Sequence, residues 1–127
     1  MKLRINGNSM RLRLARSEVA RLLSGVRLEE VIHFAPEPNA QLTYALQQDS
    51  TVVVPTVSYF RNTVEILLPA AQANTWGMTD QVGIAHEIPV GSFGTLALLV
   101  EKDFACLDRS EVENQDTFAN PRAGATC

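Results

Sequence analysis

From Lys2 to Leu14 the chain alternates between basic and apolar residues with a period of two. Leu3, Ile5, Met10, Leu12 and Leu14 form one set, and Lys2, Arg4, Arg11 and Arg13 form the other. A helix would wind both sets around its axis, whereas a pleated strand sends them to opposite faces. The segment is therefore read as β, with its apolar face inward. Asn6-Gly7-Asn8 interrupts the alternation with residues that tolerate positive φ, which predicts a hairpin. Two loop placements are open. With Gly7-Asn8 as the loop, Arg4 lies opposite Arg11 and Lys2 opposite Arg13, and directly opposed like charges are destabilising. With Asn6-Gly7, the stronger turn signal, Arg4 faces Ser9 and much of the repulsion disappears.

Ser17 begins a short helix in the sequence pattern, since its hydroxyl can cap free N–H groups and Glu18 suits the positive end of the dipole. Val19, Leu22, Leu23 and Val26 make one apolar stripe, and Gly25 suits a left-handed C-terminal cap. Strands are expected at 28–34 and 40–48, with extended segments at 51–54 and 56–59 and a further strand marked by Val64, Ile66 and Leu68. Pro36 and Pro38 end the first of these, and Pro55 points to an edge or a bulge. Pro69 opens a short helix through Trp76, closed by Gly77. Residues 78–94 carry the weakest periodicity. Thr95–Val100 is a continuous apolar run, which argues for a strand in the centre of a sheet.

Short sequential strands with tight turns favour antiparallel pairing. The expected fold class is α+β: a mainly antiparallel, curved sheet or partly open barrel with one or two short helices. Residues 1–127 are read as a single domain, with 108–127 an irregular polar tail and no internal repeat visible. The chain length of 127 residues supports one buried core. No apolar run approaches the ~18 residues of a membrane span, and no membrane association is expected. The N-terminus alternates where a signal peptide needs an unbroken apolar segment, and only Cys106 and Cys127 are available for a disulfide. A cytoplasmic location is the expectation.

The net charge of -3 hides an asymmetry. Residues 1–27 carry seven bases against Glu18, while 28–100 carry seven acids against Arg61. The basic hairpin face, Lys2, Arg4, Arg11 and Arg13, is thus a candidate anion-binding site, and internal pairing with carboxylates is the competing reading. Nucleic acid is not expected there, because no aromatic residue lies among the cations and the pI is near 5.3. Glu101, Asp103 and Cys106 form a weak candidate metal set. A buried, inert Cys106 is the plainer alternative. No Walker, G-x-G-x-x-G, G-x-S-x-G or H-E-x-x-H motif occurs, so no cofactor and no catalytic residue is assigned.

Lys2-Leu3-Arg4-Ile5-Asn6-Gly7-Asn8-Ser9-Met10-Arg11-Leu12-Arg13-Leu14 and Leu99-Val100-Glu101-Lys102-Asp103-Phe104-Ala105-Cys106-Leu107 mark the two ends of the chain. With Asp116-Thr117-Phe118-Ala119-Asn120-Pro121 and Trp76, they resemble a family of short, uncharacterised bacterial proteins. The resemblance implies a bacterial, cytoplasmic domain of unknown function and carries over no activity.

The leading functional expectation is a non-catalytic binding or protein-interaction module, with a protein partner, a second copy or a small anionic ligand. The alternative is a metal-dependent hydrolase or transferase acting on a phosphorylated small molecule through the basic hairpin face, with Glu101 and Asp103 holding the metal. A structural expectation accompanies both. The strand at about 95–104 should lie beside the hairpin, so that Glu101 and Asp103 reach Arg4, Arg11 or Arg13.

Overall fold

A computed structural model describes residues 1–106 and 111–121. The N-terminal hairpin is present as β1 (Lys2–Asn6) and β2 (Ser9–Leu14), followed by α1 (Arg16–Leu23), β3 (Leu28–His33) and β4 (Gln41–Asp49). The order then repeats: β5 (Thr56–Phe60), β6 (Thr63–Pro69), α2 (Ala70–Met78), β7 (Gly83–Pro89) and β8 (Thr95–Lys102). Among the described residues no helix is long and apolar enough to cross a membrane.

The strands form two four-stranded sheets, ordered β1-β2-β8-β7 and β3-β4-β6-β5. The α+β class holds. The single curved sheet or partly open barrel is corrected to two separate sheets, each with two free edges. In each sheet the outer pairs are antiparallel and the central pair, β2–β8 or β4–β6, is parallel. Two-residue turns join β1–β2 and β5–β6, while longer loops join β3–β4 and β7–β8. The parallel neighbours are not consecutive strands: β2 and β8 lie at opposite ends of the chain, and β5 lies in sequence between β4 and β6, which is why turn length gave no sign of them.

This arrangement is a repeat of ββαββ, against the reading that none exists. Each sheet takes one hairpin from each half of the chain, and α1 and α2 carry the chain from one sheet to the other. Buried residues coincide when the halves are offset by 54 positions: Leu12 with Ile66, Leu14 with Leu68, Val19 with Ala73, Leu22 with Trp76, and Leu46 with Val100. These residues form one core across both sheets and both helices. These positions share burial and not residue identity, so the sequence conceals the repeat.

Local signals explain most boundaries. Gly25 has φ 94, and Gly25 and Val26 donate to Leu22 O and Arg21 O, closing α1 as the sequence predicts. At its other end Ser17 is not the cap. Ala15 holds that position, its N–H donates to Glu18 Oε1 at 2.9 Å, and Asp116 accepts from the Ser17 N–H (2.9 Å) and from the Ser17 hydroxyl. Val26, assigned to the apolar stripe, is exposed beyond the helix end. The weakly periodic segment 78–94 contains β7, whose Ile84, His86 and Ile88 alternate inward; prolines and glycines at its ends masked the pattern. Residues 51–54 form a turn and bends rather than a strand. In the tail, Phe118 bridges Phe104 in parallel, and the rings meet edge to face at 6.1 Å.

Gly77 lies inside α2 instead of ending it. A Cβ there would stand 2.5 Å from Leu23 Cδ1, so any other residue would displace the Leu23 side chain from this helix contact. Leu23 and Gly77 are themselves 54 positions apart, one filling the space that the other leaves. Overpacking costs typically 1–3 kcal/mol, whereas alanine improves on glycine in a helix by about 1 kcal/mol. Gly77→Ala is therefore expected to lower stability in the native background and to raise it in Leu23→Ala, a sign reversal that urea unfolding of the four variants would measure. An unchanged sign in both backgrounds would refute the contact.

A second prediction concerns the seam between the sheets. The Met1 ammonium contacts Glu18 and lies 3.5 Å from Glu30, while the Tyr44 hydroxyl donates to Glu30 Oε2 at 2.8 Å. Burial and the adjacent Glu30 carboxylate push the Tyr44 phenol up to about 12. An unfolded tyrosine ionises near ~10, so the unfolded chain releases this proton first as pH rises. The contribution is intact below ~10 and is lost on the way to about 12. Absorbance titration should show a late phenolate step that Tyr44→Phe removes. A Tyr44→Phe trace that keeps this step would contradict the assignment.

Candidate functional site

The registry of the first sheet decides what the basic hairpin face can do. The hairpin loop is Gly7-Asn8, with Asn6 paired to Ser9, and Gly7 takes φ 56. The Asn6-Gly7 placement is thus corrected, and Arg4 does face Arg11 while Lys2 faces Arg13. On the other side of β2, Arg11 pairs with Leu99 and Arg13 with Glu101. Alternation then places Lys2, Arg4, Arg11, Arg13, Leu99, Glu101 and Ala85 on one outward face.

Carboxylates from β8 and its extension answer most of this charge, as expected from the sequence. Glu101 Oε1 lies 2.8 Å from Arg13 Nε and 3.4 Å from Arg11 Nε, and its side chain is only 15% exposed. Asp103 Oδ2 accepts from Lys2 Nζ at 3.0 Å. Asp103 thus reaches the lysine and none of the three arginines. Arg4 forms no ion pair among the described residues, and Arg11 has only the longer, shared contact with Glu101. The second sheet carries a parallel device: Arg27 Nη1 lies 2.5 Å from Glu65 Oε2 and Arg27 Nε lies 3.2 Å from Glu29 Oε2. These carboxylates hold the Arg27 guanidinium above its usual pKa.

Arg4, Asn6, Ser9 and Arg11 line a small pocket of about 160 Å³ with no carboxylate in its wall. It shares Ser9 and Arg11 with an open groove of about 500 Å³ that crosses β2, β8 and β7. Small side chains make the groove floor: Ser9 pairs with Ala97, which pairs with Glu87, and Leu99 pairs with Ala85. Larger residues at these sheet positions would fill the depression. The far rim holds Glu87, which forms no ion pair among the described residues. The groove therefore runs from a cationic end over an apolar floor to an acidic end. Alternation in Ser9–Arg11 was legible in sequence, whereas Ala97–Leu99 read as part of a continuous apolar run and Ala85 and Glu87 fall in β7, which the weak periodicity of 78–94 concealed.

The weak metal set does not assemble in the same way. Glu101, Asp103 and Cys106 do line one shallow pocket of about 200 Å³, together with Arg13. Glu101 lies against Arg13 and Asp103 against Lys2, and Cys106 is disulfide-bonded, which removes its thiolate from any ligand set. No group of three His, Cys, Asp or Glu side chains among the described residues is arranged to hold a metal ion. Cys127 and Leu107 lie outside the described residues. Elsewhere, Phe34, Tyr59 and Phe60 expose 65–71% of their surface on β5 and just beyond β3, at one end of the second sheet.

No curated protein and no solved structure matches the chain. A family match over residues 1–122 agrees with the expectation of an uncharacterised domain. The chain belongs to the family of unknown function DUF7009.

Proposed function

We propose that this domain is a non-catalytic binding module whose ligand site is the groove on the outer face of the first sheet. The observation that carries this reading is the opposed Arg4–Arg11 pair, with carboxylates beside Arg13 and Lys2 but none lining its own pocket. Two guanidiniums across a ladder repel one another and are relieved by an anion placed between them. The adjoining floor of Ala85, Ala97 and Leu99 accepts an apolar body. The favoured ligand is a small carboxylate or phosphate with an apolar tail. Metal-dependent hydrolysis at this face is supported less well, because its two proposed ligands, Glu101 and Asp103, each lie against hairpin cations.

Calorimetric titration with octanoate, and separately with inorganic phosphate, tests the reading. Octanoate should bind more tightly than phosphate, and its affinity should fall with added salt. A charged hydrogen bond is worth about 1.5–3 kcal/mol, so Arg4→Ala should weaken octanoate binding roughly tenfold or more. Glu101→Gln removes the negative charge beside Arg11 and Arg13 and should strengthen it. Arg4 forms no ion pair among the described residues, and the amide oxygen of Glu101→Gln can still accept from Arg13, so both variants should stay folded. Binding that ignores Arg4→Ala, or no binding of either probe, would refute the site.

A further inference from the structure

A second cavity, of about 700 Å³, lies where the end of α2 meets the C-terminal arm, and Arg16, Thr79, Asp80, Lys102, Phe104 and Phe118 are among its lining residues. Lys102 stands out there. Only 5% of the residue is exposed, and it forms no ion pair among the described residues. Its Nζ donates to Thr79 O at 2.6 Å and lies 5.3 Å from the centre of the Phe118 ring. Thr79 is the residue that ends α2, so one role of Lys102 is to satisfy a helix-end carbonyl.

The internal repeat shows that this role does not require an amine. Gln48, 54 positions earlier, is the counterpart of Lys102, and its Nε2 donates to Leu23 O in the last turn of α1 at 3.2 Å, two residues before the carbonyl that would match Thr79 O. A neutral amide therefore serves where the fold needs only an N–H. A buried ammonium at the same place carries a larger desolvation cost than the amide, even though Gln48 Oε1 is itself buried without a hydrogen-bond partner among the described residues. Only at the α2 end does the substituting residue bear a nucleophile, and there it borders a cavity walled by Phe104 and Phe118. Arg16, whose Cζ stands 5.9 Å from the same Phe118 ring, adds a second cation to that cavity.

We propose that Lys102 is the amine of a second ligand site, which captures a small anionic carbonyl compound of the 2-oxo acid class as an imine. The site goes beyond the groove reading and stands independently of it. The unprotonated Nζ attacks the carbonyl carbon, the carbonyl π pair moves to oxygen, and a proton transferred from nitrogen to that oxygen gives a carbinolamine. Loss of water, with one proton taken up, then leaves the protonated imine, and hydrolysis reverses the sequence with no oxidant or reductant. Arg16 pairs with the carboxylate, and the two phenylalanine rings cover the organic body. Burial keeps the Lys102 amine below the usual lysine pKa, with Asp80 opposing the effect, so the nucleophilic form is more accessible than on a surface lysine.

The chain has only two lysines, Lys2 and Lys102, which makes the test direct. The folded protein is treated with glyoxylate and cyanoborohydride near neutral pH, and the adduct is located by peptide mass mapping. Lys102 should carry it in preference to Lys2, whose side chain is 64% exposed, and to the Met1 amine. Propionaldehyde, which lacks the carboxylate, should label Lys102 less, and Arg16→Ala should reduce glyoxylate labelling towards that level. Lys102→Gln, which copies Gln48, should lose the adduct and keep its fold; Lys102→Arg serves the same purpose if it does not. Adduct on Lys2 or Met1 with Lys102 bare would overturn the proposal. Equal labelling of Lys102 by both aldehydes would overturn its anionic specificity.

Discussion

Two parallel ladders hold this molecule together. Neither half of the chain completes a sheet by itself: β1–β2 ends at a strand whose partner is β8, and β3–β4 ends at one whose partner is β6. Where these strands meet, Leu12 lies beside Val100 and Leu46 beside Ile66, and all four are fully buried. The helices are obliged to pass between sheets because each half supplies a hairpin to both. They touch where Leu23 reaches over Gly77, and Trp76, fully buried, donates its indole N–H to Val82 O at 3.0 Å. Separation of either ladder would expose core from both sheets, so the two halves are expected to fold as one cooperative unit.

The same registry sorts the charges. Parallel pairing of β2 with β8 sets Arg13 beside Glu101, and the chain leaving β8 brings Asp103 to Lys2. A basic hairpin that would repel itself in isolation is thereby made tolerable, and its motif and the C-terminal motif are structural partners. The compensation is incomplete at one row. Arg4 and Arg11 face each other farther from Asp103 and Glu101, next to a floor of small side chains, and this is where an anion is best received. Charge excess and a groove coincide at that row for one reason: small residues on β8 and β7 leave it uncovered.

Divergence between the repeats locates chemistry more sharply than composition does. Positions that retain burial after duplication of the topology describe what the fold needs, as with Leu22 and Trp76. Positions that change chemical type while still reaching a helix end describe something additional. Gln48 and Lys102 both reach a helix-end carbonyl, yet only one is titratable and only one lies against the aromatic pair of the C-terminal arm.

The alternation of residues 2–14, the closure of α1 at Gly25 and the central place of Thr95–Val100 were all legible in the sequence, because each depends on neighbours within a few residues. Side-chain period and backbone φ preference are local properties, and the opposite charges of the chain ends added a long-range pairing that proved correct. The loop placement at Gly7-Asn8, strand β7, the division into two sheets and the repeat were not legible. Local propensity favoured Asn6-Gly7, and either placement keeps the apolar face inward; the long-range ladder, with Leu3 beside Leu12 and Leu12 beside Val100, is what accompanies the Gly7-Asn8 loop. The groove and the Lys102 cavity belong wholly to tertiary structure, since each joins residues from distant segments of the chain. Sequence by itself determined which faces are apolar and which carry charge; packing decided which of those charges meet a partner and which are left beside open space.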